Sequence, residues 1–268
     1  MRSFLAGIAS LAALTCLFTS AIWGQSQSQT TKKPSSTTHR ATTHSPTVHR
    51  SLLDPSSLNQ KAPATFKAKF TTTKGDFVVE VTRASAPIGA DRFYNLVKNG
   101  FYNNCVLFRV VPGFVVQFGI NGDPKISAPW SHANIADDPV TESNKQGTLT
   151  YATAGPNTRT TQVFVNLGDN SRLDAQGFAA FGQVIEGMDV IAKFDSEYDD
   201  QPTNAQGQIE AQGNTFLKST YPNLDSIKTA VIVPAAPVAK KPAAATTKKP
   251  GAATTKKPAA SKTPATNP

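Results

Sequence analysis

A chain of 268 residues with a formal net charge of +9 carries enough positive charge overall to suit a polyanion binder. The charge is unevenly placed, because residues 1–65 hold +5 and residues 234–268 hold +7, leaving −3 on residues 66–233. The basic character therefore belongs to the two ends, and a nucleic-acid-binding fold is not indicated for the middle. That middle holds one cysteine, Cys105, which excludes an internal disulfide and leaves the fold to its apolar core.

In chain order, Met1-Arg2 precedes the uncharged stretch FLAGIASLAALTCLFTSAIWG, and no charge follows until Lys32. A basic start, an apolar run and small residues near its end predict a signal peptide over residues 1–24 and an exported, periplasmic or secreted protein. If the segment is retained, its length instead suits a membrane anchor. Residues 25–63 are rich in Ser, Thr, Gln and Pro and read as a disordered linker. Within it His39, His44 and His49 recur every five residues, but without Cys or carboxylate partners they do not predict a metal site.

Phe66-Lys67-Ala68-Lys69-Phe70 alternates as a half-buried strand, Thr73-Lys74-Gly75-Asp76 has turn chemistry, and Phe77 to Val81 returns as a second strand. Pro87, then Phe93, Leu96 and Val97 at helical spacing, then Gly100, mark a helix. Further strands are expected over Val106 to Val110, Val115 to Gly119, Thr148 to Ala152, Gln162 to Val165, Ala179 to Val184 and Thr229 to Val233, with a second helix over Met188 to Phe194. Many short strands, two helices and no alternation of strand with helix predict a mainly β domain over residues 64–233, a closed antiparallel barrel. Residues 234–268 repeat Lys-Lys-Pro among small residues and read as a disordered tail.

One stretch resists this plain reading. In FRVVPGFVVQFG (108–119) two apolar strands meet at Pro112-Gly113, the pairing a type II turn uses. Strict alternation puts Leu107, Arg109 and Val111 on one face. A guanidinium cannot shed its charge, so Arg109 must reach solvent at an edge or wait at a site for something polar. Phe114, Phe164 and Leu173 read as core from pattern alone, and Gln162 as an outward residue of an edge strand. Cys105 has no nearby histidine in the sequence to activate it and reads as a buried structural thiol.

FRVVPGFVVQFG, then ATAGPNTRTTQVFVN (152–166), then SRLDAQGFAAFGQVIEGMDVI (171–191), resembles a cyclophilin-type peptidyl-prolyl isomerase, in order from about Phe66 to Val233. The resemblance implies an eight-stranded antiparallel barrel capped by two helices, with a groove on its outer surface where X-Pro bonds of proline-containing polypeptides rotate, and no cofactor and no metal; a monomer is expected. It places Arg109, Phe114 and Gln117 on the catalytic group. Val115, Ala152, Thr153, Gln162, Phe164, Leu173 and Phe178 fall on the substrate groove, Val115 where many relatives have Met. Arg172 stands where many have the Trp that contacts cyclosporin, and Thr153 replaces a frequent Asn. If Phe114 and Gln117 both reach the site, alternation requires a bulge or bend between them. The alternative is a peptide-binding chaperone or interaction module with incidental isomerase activity. The Lys-rich tail would suit anionic lipid or a cell-wall polymer.

Overall fold

The computed structural model describes residues 50–234. The signal-peptide segment, the histidine-spaced part of the linker, and the tail beyond Pro234 lie outside the described residues. The strands are β1 (Thr65–Thr72), β2 (Asp76–Thr82), β3 (Arg109–Val111), β4 (Val115–Phe118), β5 (Thr148–Tyr151), β6 (Val163–Asn166), β7 (Ala180–Glu186) and β8 (Ile227–Val233). The helices are α1 (Pro87–Lys98), α2 (Pro124–Trp130), α3 (Met188–Ile191), α4 (Gln206–Gln212) and α5 (Asn214–Thr220).

Period-two patterning places the strands. Phe66, Ala68 and Phe70 of β1 turn inward while Lys67 and Lys69 turn outward, opposite Glu80 and Val78 of β2. Pro87 opens α1, where its missing N–H costs nothing, and Asp138 accepts from the next two amides, Ile88 N (3.0 Å) and Gly89 N (2.7 Å). The buried face of α1, with Phe93, Leu96 and Val97, closes one end of the core. There Phe93 meets Phe70, Tyr102 and Phe181, while Phe70 stacks on Phe77 with centroids 4.7 Å apart.

All eight strands join one antiparallel sheet in the order β3-β4-β6-β5-β7-β2-β1-β8. The barrel is not closed as expected. No ladder joins the edge strands β3 and β8. The seam is held instead where Cys105–Leu107 crosses residues 225–227, with Leu107 N donating to Asp225 O (2.9 Å) and Ile227 N to Cys105 O (2.8 Å) around a single bridge, Val106 to Ser226. The cause is local. The strand expected over Val106 to Val110 begins only at Arg109, because the preceding residues spend their backbone groups on the seam. Leu107 accordingly lies in the core and not on the face of Arg109. Register shifts at Thr71/Thr72, Val78/Val79 and Leu149/Thr150 curl the sheet into a half-barrel.

Two helices also proved too few. The expected second helix is the single turn α3, while α2, α4 and α5 were not anticipated. α4 and α5 carry few apolar residues, yet Ile209 and Leu217 bury against Val106, Phe108 and Ile120 in a small core of their own on the outside of the sheet. Gly213 joins them at φ +60 where a Cβ would meet Gly122 O at 2.1 Å, so this junction requires glycine. The last part of the expected linker is docked as well. Leu52 is buried and its carbonyl accepts from Trp130 Nε1 (2.8 Å), Asn95 pairs with both the N–H and the C=O of Gln60, and Asp91 accepts from Ala62 N (2.7 Å). Buried amides satisfied this way outweigh the polar composition that suggested disorder.

Candidate active site

The stretch 108–119 folds as a hairpin. Phe114 N donates to Val111 O (3.0 Å) across Pro112-Gly113, and Gly113 has φ +72, as the turn chemistry requires. The β3–β4 register pairs Arg109 with Gln117 and Val111 with Val115, without a shift. Of the bulge or bend expected between Phe114 and Gln117, the structure has the bend: Phe114 belongs to the turn, and Val115 and Gln117 lie two apart on the same face of β4. Phe114 O accepts from Leu167 N and Asn170 Nδ2, both at 2.8 Å, which holds the turn against the following strand pair.

This outer face of the sheet carries a groove of about 400 Å³ lined by Arg109, Phe114, Val115, Gln117, Ala152, Thr153, Phe164, Leu173 and Phe178. Nine of the ten expected site residues therefore line one depression. The tenth, Gln162, adjoins it and lines a neighbouring pocket that shares Gln117, Ala152 and Thr153. Gln162 is not on an edge strand, since β6 runs between β4 and β5.

The apolar residues of the groove are not part of the barrel interior. Val115, Phe164 and Leu173 form a separate buried cluster with Phe114, Ala152 and Phe178 packed around it. Phe164 and Phe178 meet edge to face, centroids 5.8 Å apart. Such a patch on the outer face of a sheet, walled by polar groups, fits a small apolar ring. Leu173 is presented by a 3-10 turn, Ser171–Gln176, seated on buried asparagines: Asn170 Nδ2 donates to Asn166 Oδ1 (2.7 Å), and Asn144 Nδ2 to Asp174 Oδ1 (2.7 Å). Burial by itself raises the Asp174 carboxyl, but the Ser143 hydroxyl and the Asn144 donors outweigh it and hold the group below the usual carboxylate range.

Polar groups form the other wall. Arg109, with 22% of its side chain exposed, stands 5.3 Å from the Phe114 centroid and donates from Nη1 to Gln117 Oε1 (3.1 Å). Gln117 Nε2 donates to Gln162 Oε1 (2.9 Å). The Thr153 hydroxyl is engaged in its own loop with Gly155 O and the Thr158 hydroxyl. Four lining residues were missed from the sequence: Asp200, Thr203, Asn204 and Gln206. They come from the segment leading into α4, and Asp200 accepts from Arg109 Nε. No local pattern marks them, since the contact spans 91 residues.

Cys105 is fully buried, its thiol directed at Phe101 O (3.5 Å), and burial pushes its pKa up, which suits a structural thiol and not a nucleophile. Among the described residues no cluster of His, Cys, Asp and Glu could hold a metal ion, and no helix is long and apolar enough to cross a membrane.

The family model for cyclophilin type peptidyl-prolyl cis-trans isomerase/CLD matches residues 67–213. A peptidyl-prolyl cis-trans isomerase of Acinetobacter baylyi is 34% identical over 181 residues, which cover 65% of this chain and 93% of that one. Peptidyl-prolyl cis-trans isomerase B of Escherichia coli is 32% identical over 133 residues, covering 46% and 80%. Among solved structures, a cyclophilin type isomerase of Cryptosporidium parvum aligns with a TM-score of 0.48 at 20% identity, over 64% of this chain and 99% of that one.

Proposed function

This chain belongs to the cyclophilin-type peptidyl-prolyl cis-trans isomerase family, and from that premise we propose how its groove performs the reaction. Amide resonance sets a rotation barrier of about 18–20 kcal/mol, and an uncatalysed X-Pro bond turns in roughly tens to hundreds of seconds. Bringing this to milliseconds takes about four to five decades, or about 5.5–7 kcal/mol at about 1.36 kcal/mol per decade. No bond is made or broken, so no nucleophile is needed.

The proline ring of a proline-containing peptide enters the cluster of Phe114, Val115, Phe164 and Leu173, with Phe178 at its border. The backbone at Ala152 and Thr153 aligns the chain, and Gln162 supports Gln117 beside it. As the bond twists, the nitrogen lone pair leaves resonance and becomes an acceptor. Arg109 donates to it, an interaction available in the twisted state and not in the planar one. A permanently charged fork on a strand suits this role better than a flexible ammonium.

The observation that carries the reading is the position of the Arg109 guanidinium on the rim of an apolar cluster separate from the core. A protease-coupled assay on a short X-Pro peptide tests it. Acceleration of the cis-to-trans step is expected, and binding without acceleration would favour a peptide-holding module. Action on folding polypeptides outside the cytoplasm is proposed from the composition of residues 1–24. Amino-terminal sequencing of the protein recovered from its native compartment tests that location.

A further inference from the structure

The polar wall of the groove has a direction, and one segment holds both of its ends. Arginine can only donate. Arg109 Nη1 therefore donates to Gln117, whose oxygen must face it. That leaves Gln117 Nε2 to donate to Gln162 Oε1, and Gln162 Nε2 to donate to Gln206 Oε1 at 3.1 Å. On its other side Arg109 Nε donates to Asp200. The guanidinium thus fixes which way each amide is turned, from Asp200 at one end to Gln206 at the other. Both ends lie in residues 200–206, a turn tied by Thr203 N (3.0 Å) and Thr203 Oγ1 (2.5 Å) to Asp200 O.

We propose that Asp200 and Gln206 are positioning residues for the isomerase reaction: they grip the two ends of this chain and aim the Arg109 guanidinium into the groove. The inference rests on the reading of Arg109 given above. Its physical need is plain. β3 is a three-residue edge strand, and an arginine on it would otherwise sample many rotamers. Two of its N–H directions are spent on Asp200 and Gln117. Nη2 has no partner among the described residues and remains for the substrate nitrogen. Orientation set before substrate arrives does not have to be established at the moment of reaction.

The test measures kcat and KM separately for an X-Pro peptide, using the full-length chain. Asp200→Ala is expected to lower kcat by about three- to tenfold with KM within about twofold, the size of a partly exposed charged contact acting on orientation. Asp200→Asn keeps an acceptor oxygen and should recover part of the loss. Gln206→Ala should lower kcat by about two- to threefold. Asp199→Asn, which removes the neighbouring charge at a residue of φ +48 where Asn is tolerated, should have no effect. Asp200 is exposed and its carboxylate makes no other hydrogen bond among the described residues, so the fold should be indifferent to these changes. The Arg109 Nε–H resonance should lose its protection from exchange in Asp200→Ala.

Wild-type or raised kcat in Asp200→Ala overturns the proposal, the raised value marking an inhibitory clamp. So does any loss from Asp200→Ala that persists in an Arg109→Ala background, because positioning must act through the arginine. Full activity in Arg109→Ala itself would overturn the reading of the arginine. Loss in Arg109→Ala with none in Asp200→Ala would overturn the positioning role alone.

Discussion

The guanidinium of Arg172 lies 4.8 Å from the ring centroid of Phe114 and donates from Nη1 to Asn170 Oδ1 (3.1 Å). Many relatives place at this position the indole that contacts cyclosporin. A cation already engaged with ring and amide cannot offer an indole's broad apolar face and single donor. Cyclosporin is therefore expected to inhibit weakly while catalysis is normal, and Arg172→Trp to strengthen inhibition by at least about tenfold, roughly 1.4 kcal/mol. Equal inhibition of wild type and Arg172→Trp in the peptide assay would contradict this.

Arg109→Ala should lower kcat/KM for prolyl isomerisation by at least about tenfold with an unchanged melting temperature. Arg109→Lys should not restore it. An ammonium on a flexible stem cannot meet Asp200, Gln117 and a substrate nitrogen in one plane. An active Lys variant would show that charge alone suffices.

Acid should release the docked segment before residue 64. Burial by itself raises the Asp91 carboxyl, but the two-pronged contact from Arg83 (2.7 Å each) and the Ala62 amide outweigh it and leave the group below its ordinary value of 3.8. A carboxyl that titrates lower when folded contributes stability in full above the unfolded value. That contribution fades as pH falls through the folded one. Asp91→Asn should cost about 1–2 kcal/mol at neutral pH, and the gap in melting temperature should close as the medium is acidified below 3.8. A gap unchanged through that range would refute the assignment.

Residues 234–268 hold seven lysines and no acidic residue. We expect their removal to leave isomerase activity on short peptides intact and to weaken attachment to anionic vesicles or cell-wall preparations at low salt. Added salt should erase the difference, since the screening length is about 8 Å at physiological ionic strength. Equal attachment by both forms at low salt would mark the tail as a spacer.

Alternation and helical spacing located all eight strands and α1, because those signals are carried by neighbours a few residues apart. Arg109 stood out for a similar reason, a permanent charge inside a short apolar run. Its burial alone was not diagnostic: Arg159 is more deeply buried, yet it is held by Asp137 and Gly177 O as a structural brace. Position in the groove separates the two, and only the fold shows that. Likewise Phe164 and Leu173 read as core from their pattern: β6 is buried on both faces, so Phe164 does not reveal which side faces the interior, and Leu173 is an apolar residue of a 3-10 turn whose seat only the fold shows. The open seam, the docked residues 50–63, and the approach of Asp200 and Gln206 to Arg109 and Gln162 left no mark in local pattern. Each depends on where distant segments of chain pay their closure entropy and satisfy their polar groups, and that balance is struck only in the assembled structure.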